Sequence, residues 1–187
     1  MSVKKVFVLF ASPNKSGYTK MLLDAFTHFA PENAVIETAY LYDVLPQPCT
    51  DCRVCKLENT CIFRDLDGIF DKMQSADLVL IATPVYHYNV PSPLKAVFDR
   101  MQRFFEAYIV RKEERQRQTE GIGVLLTVSG RKATEPVKLI QKQADKAFNL
   151  LGIRLSGSVH MPETDTRVDK EALKQAEDLG REIFENN

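Results

Sequence analysis

Four cysteines, Cys49, Cys52, Cys55 and Cys61, fall within 13 residues of a 187-residue chain that has no others. Thiolates are soft ligands suited to zinc and to iron–sulfur clusters, and their spacing discriminates between the two. Zinc sites favour cysteine pairs on separate knuckles, with a longer loop between the pairs. Here the first three cysteines are each separated by two residues and the fourth follows after five, a compact run of the kind that wraps thiolates around one corner of a cubane. The spacing favours an iron–sulfur cluster at Cys49, Cys52, Cys55 and Cys61, with zinc and a metal-free set, reduced or redox-active, as the alternatives. The last gap is longer than in the ferredoxin run, and Ile62 stands where that run has proline, which counts against a ferredoxin domain.

A second cluster of polar groups lies near the start. Ser12, Asn14, Ser16, Tyr18 and Thr19 crowd hydroxyl and amide donors into eight residues, with Gly17 where a helix is expected to begin. Backbone N–H groups at a helix start point at an anion, and the helix dipole favours it. A cradle of neutral hydroxyl and amide donors of this type suits a phosphate monoester. With a single glycine and no Lys-Ser/Thr pair after it, it is neither a G-x-x-x-x-G-K-[ST] loop nor a G-x-G-x-x-G turn. The plain alternative is a strand-to-helix loop with Ser16 as N-cap.

A third group, Pro84, Val85, Tyr86, His87, Tyr88 and Asn89, sets three rings between rigid prolines. It would form a wall and backbone donors for a flat heterocycle, or else anchor the loop on the domain or on a second copy. His87 as a general acid or base lacks a carboxylate partner recognisable in the sequence. Ser129 and Gly130, followed by Arg131, would close the same site from the far side or simply form a turn.

These groups need elements to hold them. Val3 to Phe10 is β-branched, aromatic and nearly all apolar, as in a strand covered on both faces. Leu22, Ala25, Phe26 and Phe29 recur at helical spacing up to Pro31. Ala34 to Leu41 alternates as a strand nearer an edge, Asp67 to Ser75 is a short helix, and Asp77 to Thr83 is a buried strand ended by Pro84. From Leu94, the residues Val97, Phe98, Met101, Phe104 and Phe105 make an apolar helical stripe. Its charged continuation, Arg111 to Gln118, reads as a solvated helix end or connector, with a contact to a phosphate of NADPH or to a partner as the minor alternative. Gly121 to Val128 is a fourth strand. Thr134 caps a helix running to Leu151 and stopped by Gly152. Ile153 to Val159 is a fifth strand, and a last helix spans Val168 to Phe184 with Val168, Ala172, Ala176, Leu179 and Ile183 inward. Strand–helix alternation implies right-handed crossovers and a doubly wound, mostly parallel α/β sheet. Ligands in such a sheet sit at the carboxyl ends of the strands, beside the point where strand order reverses.

Composition excludes several classes. Twenty-five Lys and Arg balance 25 Asp and Glu, so no positive field recruits nucleic acid or anionic lipid. Apolar runs fall far short of the roughly 20 residues that cross a bilayer. The Met1-Ser2-Val3-Lys4-Lys5 start leads into too short an apolar segment for a signal peptide, so a cytoplasmic protein is expected, where structural disulfides are disfavoured. No linker or repeat interrupts the chain, and residues 1–187 are expected to form one domain with a cysteine-rich segment at about residues 46–64.

The motif Ser12-Pro13-Asn14-x-x-Gly17-x-Thr19, the stretch Thr83-Pro84-Val85-Tyr86, and Pro93-Leu94-Lys95-x-x-x-Asp99-Arg100 resemble the flavodoxin-like NAD(P)H-dependent FMN reductases along essentially the whole chain. The resemblance implies a five-stranded sheet of order 2-1-3-4-5. It also implies FMN phosphate at Ser12, Asn14, Ser16, Gly17, Tyr18 and Thr19, the flavin ring along Pro84 to Asn89, and ring contacts from Ser129 and Gly130. The third loop has fewer glycines than many relatives. The cysteine run, placed after the second strand, is similar to that of the iron–sulfur flavoproteins within this family. That implies a [4Fe-4S] cluster and a homodimer or homotetramer in which one subunit's cluster lies near its neighbour's flavin. FMN and a cluster together convert electron pairs to single electrons. An oxidoreductase is expected, fed by NAD(P)H or by a redox partner such as ferredoxin and reducing a small-molecule acceptor. A cluster-free FMN or quinone reductase, a non-catalytic electron carrier and a redox-sensing interaction protein are the rivals.

Overall fold

The computed structural model describes residues 3–117 and 119–186. Met1 and Ser2 of the expected leader-free start, and Gln118 of the expected connector, lie outside the described residues. Five strands, β1 (Lys5–Phe10), β2 (Val35–Tyr40), β3 (Leu78–Pro84), β4 (Gly121–Val128) and β5 (Ile153–Met161), form one sheet of order β2-β1-β3-β4-β5. All four pairings are parallel. The expected doubly wound α/β topology is therefore observed, and strand order reverses between β1 and β3.

Alternating side chains build two cores from the same strands, because successive residues of a strand point to opposite faces. Phe7, Leu9, Val79, Ile81 and Leu125 pack on one face, where α3 (Asp67–Ser75), α4 (Ser92–Arg100) and α6 (Thr134–Leu150) lie. Val8, Phe10, Leu80, Ala82, Val124 and Leu126 pack on the other, against α1 (Tyr18–Thr27) and α7 (Lys170–Asn186). β3 is buried at every position, which is why it reads as a continuous apolar run, whereas Val35 and Ile36 of the edge strand β2 are exposed. The α1 and α7 backbones meet at Gly180, where a Cβ would stand 2.0 Å from the Phe26 carbonyl oxygen. Among the described residues, no helix is long and apolar enough to cross a membrane.

Several boundaries depart from expectation for local reasons. Thr134 does not cap α6: it is the first helical residue, after Ala133. Pro136 has no N–H to be capped, and the Val137 N–H already bonds the Ala133 carbonyl at 3.0 Å. α7 begins at Lys170, after Asp169, whose carboxylate accepts the N–H groups of Glu171 and Ala172 at 3.0 and 3.2 Å. Val168 thus falls outside the helix and is exposed. Gly152 stops α6 as expected, at φ +71°.

The largest departure follows α4. The helical stripe breaks at Met101, resumes in the short α5 (Gln102–Phe104) and widens into a π-helix over Phe105–Val110. The consecutive residues Glu106, Ala107 and Tyr108 are buried there, while Phe105, expected inward, is 40% exposed. The following segment is not helical. Its middle, residues 112–116, is exposed, but Arg117 turns back to donate to the Met73 and Ala76 carbonyls at 3.0 and 2.5 Å, closing the end of α3.

Candidate functional site

Because β1, β3 and β4 are neighbours in the sheet, the loops leaving their carboxyl ends lie side by side. The first begins where the Ala11 N–H bonds the Ala82 carbonyl at 2.8 Å. Ser12 is buried, and its Oγ accepts the Asn14 N–H at 3.2 Å. Asn14 folds its side chain back, so that Oδ1 accepts from the Ser16 N–H at 3.0 Å and from Ser16 Oγ at 3.2 Å. Gly17 precedes α1 as its cap, and neither it nor Ser16 gives a side-chain cap bond. Asn14 occupies the space a Cβ at Gly17 would need, with Nδ2 only 2.9 Å from that position. Gly17 thereby lets the loop close over the first turn of a ten-residue helix, whose leading N–H groups have no partner within the helix. Lys15 is held away by Asp43, at 2.5 Å, and lies over the Tyr40 ring. The polar groups left at this helix start are the neutral donors of Ser12, Asn14, Ser16, Tyr18 and Thr19.

The second loop is a tight reversal. Tyr86 and Asn89 exchange both backbone hydrogen bonds, at 2.8 and 2.9 Å. Between them His87 and Tyr88 take φ values of 45° and 64°, the left-handed pair of a type I′ turn, a conformation that costs energy in residues with side chains. The Val85 N–H bonds the Val128 carbonyl at 2.8 Å, tying this loop to the end of β4. Pro84 is buried at the strand end, while Tyr86, His87 and Tyr88 project outward. Asn89 has a bracing job: its Oδ1 accepts from the Val90 N–H at 2.8 Å and from Gln143 Nε2 at 3.2 Å.

The third loop is anchored to the chain that follows β5. The Ser129 N–H bonds the Met161 carbonyl, and the Ser129 and Gly130 carbonyls accept the Thr164 and Asp165 N–H groups, at 3.0, 3.0 and 3.2 Å. Gly130 leaves room for the Asp165 carboxylate, which would lie within 2.5 Å of a Cβ there. Sequence reasoning missed His160, the hub of this loop. Its Nδ1 lies 3.0 Å from Thr127 Oγ1 and its Nε2 3.2 Å from Ser129 Oγ. Burial pushes its pKa below the ordinary 6.5, against the opposing effects of Thr127 and Asp169. Alternation along β5 gives no sign of a role for it, since its partners come from β4.

The cysteine segment lies elsewhere, against α4, α5 and the π-helix. A single 3₁₀ turn, Val54–Lys56, interrupts it, and Asp51 and Arg53 adopt left-handed backbone. All four cysteines line one cavity of about 220 Å³. Cys49 and Cys52 are exposed at its rim, and Cys55 and Cys61 are half-buried. Burial pushes the Cys55 thiol up, and Glu106, Cys52 and Cys49 push it further in the same direction. Among the described residues, no three His, Cys, Asp or Glu side chains gather closely enough to hold one metal ion.

Arginines that the sequence reading left without a role fix this segment. Arg103 donates to the Asn59 carbonyl at 3.0 Å and pairs with Asp67 at 2.9 Å, and Arg111 donates to the Cys55 carbonyl at 2.6 Å. Arg100, its side chain 1% exposed, pairs with Asp65 and donates to the Phe63 carbonyl at 2.5 Å. Asp65 also accepts the Gln47 N–H at 2.8 Å. Burial tends to raise the Asp65 carboxyl, but the hydrogen bonds from Gln47 and Arg100 and the guanidinium charge outweigh it and hold it below the ordinary carboxylate value. The sequence did carry one signal: Arg100 stands three residues after Val97 and four before Phe104, a charge on the apolar stripe.

A parallel sheet of order 2-1-3-4-5, with three polar loops converging at its carboxyl edge, defines a flavodoxin-like protein. The model of the NADPH-dependent FMN reductase family matches residues 4–152, and the chain belongs to that family and is a flavin-dependent oxidoreductase. It is 29% identical over 143 residues to an iron-sulfur flavoprotein of Methanosarcina thermophila, covering 75% of this chain and 71% of that protein. It is 37% identical over 98 residues to an iron-sulfur flavoprotein of Methanocaldococcus jannaschii, about half of each chain (51% and 51%). Among solved structures, the NAD(P)H:quinone oxidoreductase of Methanothermobacter marburgensis superimposes with a TM-score of 0.71 at 18% identity, over 98% of this chain and 96% of that one, a likeness of fold.

Proposed function

We propose that the chain acts as a single domain that binds FMN across the three sheet-edge loops and a [4Fe-4S] cluster in the cysteine cavity, and moves electrons between NAD(P)H or ferredoxin and a small-molecule acceptor such as a quinone. The observation that carries the cluster is the convergence of Cys49, Cys52, Cys55 and Cys61 on one cavity. A single tetrahedral zinc would draw four sulfurs to about 2.3 Å from one point and so to about 3.8 Å from each other. A cubane instead takes each thiolate on a separate iron and so spreads the four sulfurs wider. The names of the two methanogen relatives support the same assignment.

When bound, FMN exchanges hydride with a pyridine nucleotide and single electrons with a cluster. The protein's part is positional. Ser12, Asn14, Ser16, Gly17, Tyr18 and Thr19 offer neutral donors and a helix start to the phosphate. Pro84, Val85, Tyr86, His87, Tyr88 and Asn89 hold one side of the flavin ring, with Tyr86 and Tyr88 free to cover it, and Ser129 and Gly130 meet it from β4. The exposed rings and the rim cysteines suit a homodimer or homotetramer.

The test is an anaerobic purification in which visible spectrum, flavin, iron and acid-labile sulfide are measured on one sample. FMN with about four irons and four sulfides per chain is expected. FMN without iron would overturn the cluster and leave an NAD(P)H-dependent FMN or quinone reductase.

A further inference from the structure

One buried polar atom on the wall of the cysteine cavity has no hydrogen-bond partner among the described residues. Arg100 lines that cavity together with the four cysteines, and its Nε is buried without a hydrogen-bond acceptor. Both outer nitrogens are engaged: Nη1 pairs with Asp65 and Nη2 donates to the Phe63 carbonyl at 2.5 Å. Those bonds fix the plane of the fork, because a guanidinium is rigid, and so they fix where Nε–H points. A buried N–H left without an acceptor costs about 1–3 kcal/mol, and native structures rarely carry one without a use. Among the described residues, the sulfur atoms lining the cavity wall belong to the cysteines.

We propose that Arg100 is a positioning and tuning residue for the cysteine site, its Nε–H donating to a sulfur of the cluster or of a ligating thiolate. The proposal rests on the cluster reading above. Its chemical consequence is specific. Reduction adds negative charge to the cluster, and a hydrogen bond to sulfur strengthens as that charge grows, so the donor favours the reduced state and raises the potential. Asp65 offsets the net charge of Arg100, so the directional N–H, and not the bare cation, supplies the effect. The arginine thereby does two jobs at once: its outer nitrogens clamp the cysteine segment, and its inner one is left to donate to a sulfur.

Arg100→Lys isolates the inner nitrogen. Lysine puts a methylene where Nε stands and its ammonium near the guanidinium carbon, keeping a positive charge beside Asp65. Asp65→Asn makes the complementary change, loosening the clamp and leaving Nε–H in place. Iron, sulfide and FMN content and the cluster midpoint potential are measured anaerobically on the holoprotein and both variants. With iron and FMN retained, Arg100→Lys is expected to make reduction about tenfold less favourable, a fall of about 59 mV for one electron, while Asp65→Asn shows no fall. An unchanged midpoint in Arg100→Lys overturns the proposal and leaves the cluster reading intact, as does an equal fall in both variants. Wild-type protein that holds FMN but no iron or sulfide overturns the cluster reading and this one with it. If Arg100→Lys fails to hold iron, wild-type protein labelled with 15N at arginine Nε decides: a 15N coupling to the reduced cluster in pulsed EPR is expected, and its absence overturns the proposal.

Discussion

Replacing Gly17 by alanine tests whether the first loop is a phosphate cradle held by Asn14. Gly17 has φ −85° and ψ −167°, extended backbone open to any residue, so Gly17→Ala brings no backbone strain. Its whole effect comes from the new Cβ, which would stand 2.9 Å from Asn14 Nδ2 and 3.1 Å from Cγ. The Asn14 amide has to swing away, and doing so breaks the bonds its Oδ1 accepts from Ser16 N–H and Ser16 Oγ, at 3.0 and 3.2 Å. At about 1 kcal/mol each, the loop loses about 2 kcal/mol of organisation, and FMN affinity falls about 30-fold. Apoprotein titrated with FMN, with quenching of flavin fluorescence as the readout, measures this directly. The Asn14→Ala background supplies the control, because there the new Cβ has room and Gly17→Ala should cost nothing further. Wild-type affinity in Gly17→Ala, or an equal loss on both backgrounds, would refute the role given to Asn14.

Asp65→Ala leaves the buried Arg100 guanidinium without its carboxylate, and urea unfolding should show a loss of about 3 kcal/mol; a loss below about 1 kcal/mol would show that the pair does not hold the cysteine segment. Gly180→Ala forces α1 and α7 apart, because the new Cβ meets the Phe26 carbonyl at 2.0 Å; a destabilisation of about 3 kcal/mol is expected, and a neutral result would refute that close backbone approach. His160 has a depressed pKa, so on acidification the unfolded chain takes up the proton first. Its stabilising contribution is full above the ordinary 6.5 and disappears as pH falls through the lower folded value. His160→Gln should flatten the decline in Tm on going from about pH 7 to about pH 5, and an unchanged slope would place that decline on other groups.

What the sequence revealed was what short-range physics determines. Helix α3 and strand β4 begin and end where the apolar pattern puts them, at Asp67–Ser75 and Gly121–Val128, because burial on a helical stripe or on both faces of a strand leaves a local signature. The loops carrying Ser12, Pro84 and Ser129 were legible for the same reason, as each follows directly from its strand. The residues that hold the cysteine segment were not. Arg100 and Asp65 are 35 positions apart, and Arg111 and the Cys55 carbonyl 56, so their pairing depends on how α4 and the π-helix dock. His160 likewise acquires its role from Thr127 on the neighbouring strand and Ser129 in the loop after it, which a one-strand pattern does not contain. Asn14 and Asn89 were legible as polar loop residues, but the bracing their side chains give the backbone was not: Asn14 at Ser16 and Asn89 at Val90, with Gln143 of α6 donating to Asn89 from 54 positions away.

The break after α4 explains why one stretch of chain serves both candidate sites. An α-helix turns about 100° per residue, so Glu106, Ala107 and Tyr108 would spread over some 200° of its surface. All are buried, which requires cover on more than one side. Ala107 and Tyr108 belong to the core beneath the sheet, and Glu106 faces the cysteine cavity. The π-helix is thus sandwiched between the core and the cysteine segment, while α4 begins just after the aromatic loop and ends at Arg100, about 12 Å further along its axis. The two ends are not equally secure. The sheet-edge loops take backbone bonds from β3, β4 and β5, whereas the 3₁₀ turn of the cysteine segment buries no residue. The sheet-edge loops are therefore fixed by the sheet itself. The cysteine cavity keeps its shape through the bonds that Arg100, Arg103 and Arg111 donate to its backbone.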